Sequence, residues 1–209
     1  ISGLSLCLLL RTNHLIVAWA AAYLAVASKF VIRCDGKHVF NPTNFALVVM
    51  LSLDLSWVSP GQWGREAFFA FLVGCLGGLV VNRAARSDVT YAFLASYVVL
   101  VMARALWLGD PLTIPLHQLQ NGALLIFAFF MISDPMTIPN HPRMRLLYAA
   151  LVALGAFAWQ FYLFKPNALV WALFLLTPLV PLLDKLAPAS KHQWRANAPA
   201  PGLVPSASA

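Results

Sequence analysis

Charged residues are scarce in this sequence, and their scarcity excludes an ordinary soluble domain. Asp, Glu, Lys and Arg make up 10% of the 209 residues, whereas soluble domains contain roughly 25%. Apolar residues reach 61%, and the mean hydropathy is +0.77. The length would allow one or two soluble domains, but the apolar runs leave no room for one. We therefore expect an integral membrane protein embedded in a lipid bilayer.

Sequence signals for soluble chemistry are also missing. We find no Walker loop, dinucleotide fingerprint or nucleophile–base pair. The three cysteines, Cys7, Cys34 and Cys75, lack metal-ligand spacing and are interpreted as small apolar fillers. The net charge of +7 does not indicate nucleic acid as a partner. The basic residues lie in short loops between apolar runs, where they determine topology.

The apolar residues form segments that are long enough, or nearly so, to cross a hydrocarbon core of about 30 Å. These segments are Leu15–Ile32, Asn44–Val58, Glu66–Val81, Val89–Leu108, Leu119–Ile132, Leu146–Phe164 and Ala168–Leu183. Ile1 opens inside a further apolar run without an initiator Met, so we expect an N-terminally truncated chain. The predicted fold is all-α: a polytopic transmembrane helix bundle over residues 1–186 with about eight membrane segments, including half-helices. Residues 187–209, rich in Pro, Ala and Ser, are expected to be a disordered cytoplasmic tail.

Two proline-containing polar clusters interrupt the apolar runs, Phe40-Asn41-Pro42-Thr43-Asn44 and Ser133-Asp134-Pro135-Met136-Thr137. Irregular backbone at membrane depth persists only where it is buried in protein or lines a cavity, so these clusters are the favoured place for a ligand or cofactor. The first precedes a short apolar segment and the second follows one, which is typical of an inverted repeat. Coincidence between two Pro-containing loops is the alternative.

Asn41-Pro42-Thr43-Asn44 has the chemistry of a helix start. Pro42 suits the first helical position, and Asn41 can cap the exposed amides. Two interpretations stay open: a cap alone, or a cap whose amides also hold an anionic or carbonyl group of a ligand.

Ser133-Asp134-Pro135 ends a helix, because the residue before proline avoids the helical region. The helix dipole disfavours negative charge at that end, so Asp134 needs a compensating donor, a cation or a ligand N–H. Arg143 or Arg145 is the candidate partner within the chain. Thr137, like Thr43, is interpreted as a residue that bonds the local backbone.

Basic residues fall mainly in alternate loops. One side would hold Arg33, Lys37, Arg83, Arg86, Arg143, Arg145, Lys185, Lys191 and Arg195, and the other only Arg11, Arg65 and Lys165. The positive-inside rule then places the C-terminus and both clusters on the cytoplasmic side, with Gly109–Gln120 outside.

Three stretches together resemble one membrane family: Lys37-His-Val-Phe-Asn-Pro-Thr-Asn-Phe45, Trp57-Val-Ser-Pro-Gly-Gln-Trp-Gly64 and Phe130-Met-Ile-Ser-Asp-Pro-Met-Thr137. The family contains the D subunit of Rnf-type electron-transport complexes and the B subunit of the sodium-pumping NADH:quinone oxidoreductase. It also includes shorter relatives found in enediyne biosynthesis clusters. The resemblance covers residues 12–185 in order.

The resemblance implies a flavin-binding subunit of a membrane oxidoreductase in the bacterial inner membrane, with other subunits as partners and electron transfer coupled to ion movement. Full-length members attach FMN covalently to the Thr of a Ser-Gly-Ala-Thr motif on the outer face. The nearest stretch here is Pro111-Leu-Thr-Ile-Pro-Leu116, with Thr113 one position early, so non-covalent FMN or riboflavin is expected instead. The expected cofactor-binding residues are Asn41, Pro42, Thr43, Asn44, Ser133, Asp134, Pro135 and Thr137, with Thr113 as the candidate for attachment.

Two other functions fit the same pattern. Broken helices also line the permeation paths of small-solute transporters and channels that have no redox role. A structural scaffold within a larger complex is the third interpretation.

The topology can be tested with single cysteines at Gln120 and Ser87, in a background without the three native cysteines. An impermeant thiol reagent added outside intact cells is expected to label the first position and not the second, because only the first lies in the predicted outer loop. Reversed labelling would overturn the topology.

Overall fold

The computed structural model describes residues 2–59, 67–83 and 86–190. This part of the chain is mainly helical, so the predicted all-α membrane bundle is confirmed. The helices are α1 (Ser2–Leu9), α2 (Leu15–Val31), α3 (Pro42–Ser52), α4 (Ala67–Arg83), α5 (Ser87–Leu108), α6 (Thr113–Leu119), α7 (Gly122–Ile126), α8 (Pro142–Phe161), α9 (Ala168–Leu176) and α10 (Val180–Leu186). A π-helical segment, Phe127–Met131, continues α7, and a 3-10 turn, Thr177–Leu179, joins α9 to α10.

Two short antiparallel ribbons join the helices. Leu10–Arg11 (β1) pairs with Trp57–Val58 (β4), and Arg33–Cys34 (β2) pairs with Lys37–His38 (β3). The second ribbon is a tight hairpin whose turn holds Asp35 and Gly36 at positive φ. Glycine adopts this left-handed conformation without steric cost, which suits it to the turn.

Three helices among the described residues are long and apolar enough to cross a membrane: Ser87–Leu108, Pro142–Phe161 and Ala168–Leu186. A fourth crossing is obtained if α6 and the Gly122–Met131 helix, which meet at a bend of 49°, are taken as one broken span. The remaining apolar helices are shorter. The total of about eight segments and the inverted repeat stay predictions.

The centre of the bundle consists of α5, α8 and α9. The face of α8 toward its neighbours carries Ala149, Val152, Ala153 and Ala156, each fully buried. Small side chains allow helix backbones to approach closely, which replaces the hydrophobic driving force that is missing between helices in lipid.

The first predicted half-helix is real but shorter than expected. Instead of running from Asn44 to Val58, α3 begins at Pro42 and ends at Ser52. The chain then turns through Asp54, at φ 54°, and pairs as β4 with β1. Apolar content alone cannot reveal this stop, because the strand residues that follow are as hydrophobic as the helix.

The second half-helix ends in a widened turn. Ile132 N–H donates to the Phe127 carbonyl at 3.0 Å, five residues back, as in a π-helix. Hydroxyl groups bind two of the carbonyls that follow: Thr90 Oγ1 donates to Ala128 O at 2.8 Å and Ser133 Oγ to Phe129 O at 2.5 Å. The orphan acceptors at this helix end are therefore satisfied by side chains.

Charged side chains mark one end of the bundle. At one end, here named the basic end, Lys37 pairs with Asp184 at 3.1 Å and Arg145 with Asp88 at 2.7 Å. The first pair joins the β2–β3 hairpin to α10, and the second joins the start of α8 to the start of α5. The end that carries the β1–β4 ribbon and α6 is named the opposite end.

Two further sequence interpretations concern the cysteines and the C-terminal tail. All three cysteines are exposed free thiols, and their interpretation as small apolar fillers stays a prediction. Most of the predicted disordered tail, residues 191–209, lies outside the described residues.

Gly77 allows α4 to pack against the π-helical segment. A Cβ built on this residue would lie 2.6 Å from both Cβ and Cγ of Phe129, whereas one on Gly74 or Gly78 would meet nothing within 4 Å. The Gly-rich stretch of α4 thus provides one close contact, at its central glycine.

Gly77→Ala is expected to lower the free energy of unfolding by about 1–3 kcal/mol, because the added methyl group overpacks the contact with Phe129. Gly74→Ala and Gly78→Ala are matched controls, which should be neutral or stabilising by up to about 1 kcal/mol through helix propensity. Unfolding in detergent followed by circular dichroism measures the difference. Equal effects of all three substitutions would contradict the packing.

Candidate functional site at the junction of the half-helices

Asn41 connects the two half-helices with one carboxamide. Its Oδ1 accepts from the Asn44 N–H at 3.2 Å, which caps α3. Its Nδ2 donates to Met131 O at 3.3 Å and to Asp134 Oδ2 at 3.4 Å. The start of α3 and the end of the π-helical segment therefore meet at this residue, and the two polar clusters of the sequence form one site.

Asp134 is compensated by donors from several parts of the chain. His38 Nε2 lies 3.1 Å from Asp134 Oδ2, and the Met136 N–H donates to Oδ1 at 3.1 Å. Asn41 supplies the third donor. The expectation that Arg143 or Arg145 would pair with Asp134 is wrong, because Arg145 binds Asp88 and the Asn140 carbonyl instead.

Lys37 holds the hairpin against the junction, and sequence reasoning missed it. Its ammonium donates to Ile138 O at 2.7 Å, Asn140 Oδ1 at 3.2 Å and Asp184 Oδ2 at 3.1 Å. These contacts use all three N–H groups of a lysine. The Asn140 N–H also donates to Asp184 Oδ1 at 2.7 Å. The contacts of Lys37 fix β3 and thereby place the neighbouring His38 beside Asp134.

A second cluster at the basic end is positively charged. Arg86 and Arg145 are both buried, and Asp88 binds Arg145 through Nε and Nη2. Burial, followed by the charge of Arg145, lowers the pKa of Arg86, while Asp88 opposes the shift. Two buried guanidinium groups beside one carboxylate give this end an excess of positive charge.

The other residues of the predicted site lie around the junction and are mostly engaged locally. Thr43, Ser133 and Thr137 are buried, and Pro42 and Pro135 are buried beside them. Ser133 donates within its own helix, and Thr137 Oγ1 donates to the Asp134 carbonyl at 3.2 Å. The interpretation of Thr137 as a residue that bonds the local backbone agrees with this contact.

Asn44 is a predicted site residue with a buried and unpaired side chain. It is 1% exposed, and neither Nδ2 nor Oδ1 of its carboxamide has a hydrogen-bond partner among the described residues. A buried polar group left unpaired costs about 1–3 kcal/mol. An amide donor and an amide acceptor are thus available next to the junction.

Thr113 lies away from the junction. It begins α6 and is exposed. Since α5 starts beside Arg145 and rises roughly 33 Å over its length before α6 follows, Thr113 belongs to the opposite end. The structure does not bring it to Asn41 and Asp134.

Two cavities lie on either side of the junction. One, of about 390 Å³, is at the opposite end and reaches Met131, and its polar lining includes Tyr97, His117, Asn121, Gln160 and Lys165. Ligand cavities of proteins span about 300–1,000 Å³, so this one is within range. The other, of about 240 Å³, is at the basic end, and its charged or titratable lining includes Asp35, Lys37, His38, Asp184 and Lys185.

Comparisons with a family model and with individual proteins agree on one family. Residues 10–192 match the family model described as the NQR2, RnfD, RnfE family. Over 127 residues the chain is 33% identical to the D subunit of the ion-translocating oxidoreductase complex of Erwinia tasmaniensis, covering 59% of this chain and 34% of that protein. Over 185 residues it is 25% identical to the protein of the same name in Shewanella frigidimarina, covering 84% of this chain and 52% of that protein.

The chain spans only about a third to a half of these relatives, 34% and 52% of their lengths. The family model nevertheless covers both polar clusters and the helices between them. This chain therefore belongs to the NQR2, RnfD, RnfE family.

Proposed function

We propose that this protein is a flavin-binding membrane subunit of an electron-transport complex coupled to ion translocation. The family supports the proposal, as do relatives named as subunits of an ion-translocating oxidoreductase complex. The observation that carries it is the buried, unpaired carboxamide of Asn44 beside the Asn41–Asp134 junction.

The residues at the junction fit a flavin in hydrogen-bonding chemistry. A free carboxamide offers one acceptor and two N–H donors, which complements the imide edge of a flavin ring with its N–H and two carbonyl groups. Asn41 and Asp134 would hold the ring or its ribityl chain, and Ser133, whose hydroxyl hydrogen is already donated, would act as an acceptor. A bound flavin supplies the electron transfer, and the protein supplies position and electrostatics.

The flavin is expected to be non-covalent FMN or riboflavin. Thr113, the candidate for covalent attachment, lies at the opposite end, away from Asn44. A ligand between the half-helices would be held by hydrogen bonds and by the helix dipoles that meet there.

Other subunits would deliver and remove the electrons. The sequence carries no dinucleotide fingerprint, and the described residues contain no group of three or more His, Cys, Asp or Glu that could hold a metal ion. We propose that the basic end lies on the cytoplasmic side of a bacterial inner membrane, because Arg86, Arg145 and Lys37 gather there.

The proposal is tested by purifying the full chain in mild detergent. The expected result is visible flavin absorbance together with an intact mass that equals the polypeptide alone, since a non-covalent flavin is lost on denaturation. A mass increase equal to FMN would contradict non-covalent binding. A colourless protein that takes up no added FMN or riboflavin would reject the flavin site and favour a transporter without redox chemistry.

Asn44→Leu separates a ligand-binding role from a structural one. Because it removes an unpaired buried amide, the flavin-free variant should gain about 1–3 kcal/mol in free energy of unfolding. Flavin retention should fall, because the complementary amide is lost. Retained absorbance and an equilibrium titration with riboflavin measure binding, and unfolding in detergent measures stability.

Asn82→Leu is the matched control for this substitution. Asn82 is exposed on α4, so its replacement should change stability by no more than about 0.5 kcal/mol and leave flavin retention intact. Asn44→Leu would contradict the proposal if it destabilised the protein while flavin retention stayed at the level of the control.

A further inference from the structure

A chain of polar contacts separates the two cavities. His38 lines the cavity at the basic end, and Met131 lines the cavity at the opposite end. Between them, His38 Nε2 lies 3.1 Å from Asp134 Oδ2, Asn41 Nδ2 lies 3.4 Å from the same oxygen, and Asn41 Nδ2 lies 3.3 Å from Met131 O. The junction therefore lies between the two cavities.

The groups around the Asp134 carboxylate are hydrogen-bond donors. This determines which ion can bind at the junction. Its carboxylate is contacted by His38, by the Asn41 amide N–H₂ and by the Met136 N–H. A hard metal cation needs about six oxygen ligands, and here N–H groups occupy the positions around the carboxylate. A proton needs only one acceptor at a time.

We propose that His38 and Asp134 form a proton-binding pair that is loaded from the cavity at the basic end. The inference rests on the proposed role in ion translocation and names the ion as a proton. Both side chains are partly accessible, 15% for His38 and 18% for Asp134, so the pair exchanges with water without being fully solvated.

The transfer conserves charge and atoms. A proton from the cavity binds Nδ1 of the neutral His38 ring, whose other nitrogen carries the Nε2–H. The Nε2 proton then passes along the 3.1 Å contact to Asp134 Oδ2. The products are a neutral ring protonated at Nδ1 and a neutral carboxylic acid. An imidazole suits this step because its two nitrogens can take up and release a proton at different places.

Other titratable groups also line this cavity. They are Cys34, Asp35, Lys37, Asp184 and Lys185. Lys37 and Asp184 neutralise each other at 3.1 Å and are fixed by Asn140. Among the titratable residues of the cavity, His38 contacts the carboxylate of the junction through its side chain, whereas Met136, which also lines the cavity, contacts it through its backbone N–H.

Asn41 lies on the other side of the His38–Asp134 pair and blocks proton transfer there. Its Nδ2 donates to both Asp134 and Met131 and has no lone pair with which to accept a proton. In this conformation, protons therefore reach the pair from the basic end and stop at the carboxamide.

Removing this block by substitution of Asn41 should create a proton leak. Asn41→Ser keeps a hydroxyl that can cap α3 but is too short to bridge Asp134 and Met131. The purified full chain is reconstituted in liposomes with a pH-sensitive dye inside, and a potassium gradient with valinomycin drives the ions. Proton flux in Asn41→Ser is expected to exceed that of the wild type at least about fivefold, because two contacts are lost and the loss of one typical hydrogen bond already changes the open population by about that factor.

Matched variants separate the proposed pair from general damage. Asn121→Ser makes the same change at another helix cap, whose Oδ1 accepts from Ala123 N–H at 2.8 Å, and should not leak. Adding His38→Asn to Asn41→Ser should return proton flux to the wild-type level. Sodium flux, followed with a radioactive tracer, should stay at background in every variant.

Three results would overturn the proposal: a leak no larger than that of Asn121→Ser, a leak that survives His38→Asn, or sodium flux that accompanies the proton flux. Flavin content does not enter these measurements. A colourless protein with the expected leak would reject the flavin site and keep the proton pair, and a coloured protein without the leak would do the reverse.

Discussion

The structure depends on the double use of one carboxamide. The Oδ1 of Asn41 accepts from one of the first amides of α3, that of Asn44, and its Nδ2 donates to the last carbonyl of the other half-helix and to the Asp134 carboxylate. A helix that ends inside a bilayer leaves backbone groups without water to bind them, so every such end must find partners in the protein. Because Asn41 serves both ends at once, loss of its carboxamide would leave backbone groups unpaired at the ends of both helices.

The basic end secures this arrangement from outside the junction. Lys37 binds the loop after the π-helical segment and the carboxylate of α10, so one side chain joins the hairpin, this loop and α10. A partly buried ion pair gains most when additional hydrogen bonds satisfy both partners, as the Asn140 amide does here. Without the contacts of Lys37, the short β2–β3 hairpin would have few interactions that keep His38 at hydrogen-bond distance from Asp134.

The sequence predicted the parts whose cause is local. Proline and asparagine at positions 41–44 mark a helix start, and Asp134-Pro135 marks a helix end, and both lie where expected. The partner of Asp134 was mispredicted because Arg143 and Arg145 are near in the chain, whereas His38 comes from the hairpin 96 residues away. His38 and Lys37 stood within the stretch that carries the family resemblance, and a histidine adjacent to a polar cluster in so apolar a chain was the signal available. The orphaned amide of Asn44 depends on tertiary packing and has no sequence signature.

The widened turn at Phe127–Met131 fixes the rotational phase of the second half-helix. A π-turn accommodates one residue more than an α-turn over the same rise, so the chain beyond it is rotated by about 100° relative to a continuous α-helix. Loss of a single residue from this segment would restore regular α-helical bonding, yet it would swing the Met131 carbonyl and Asp134 away from Asn41. Length in this short segment is therefore under tighter constraint than composition, and chains that differ here by one residue would differ in whether the junction closes at all.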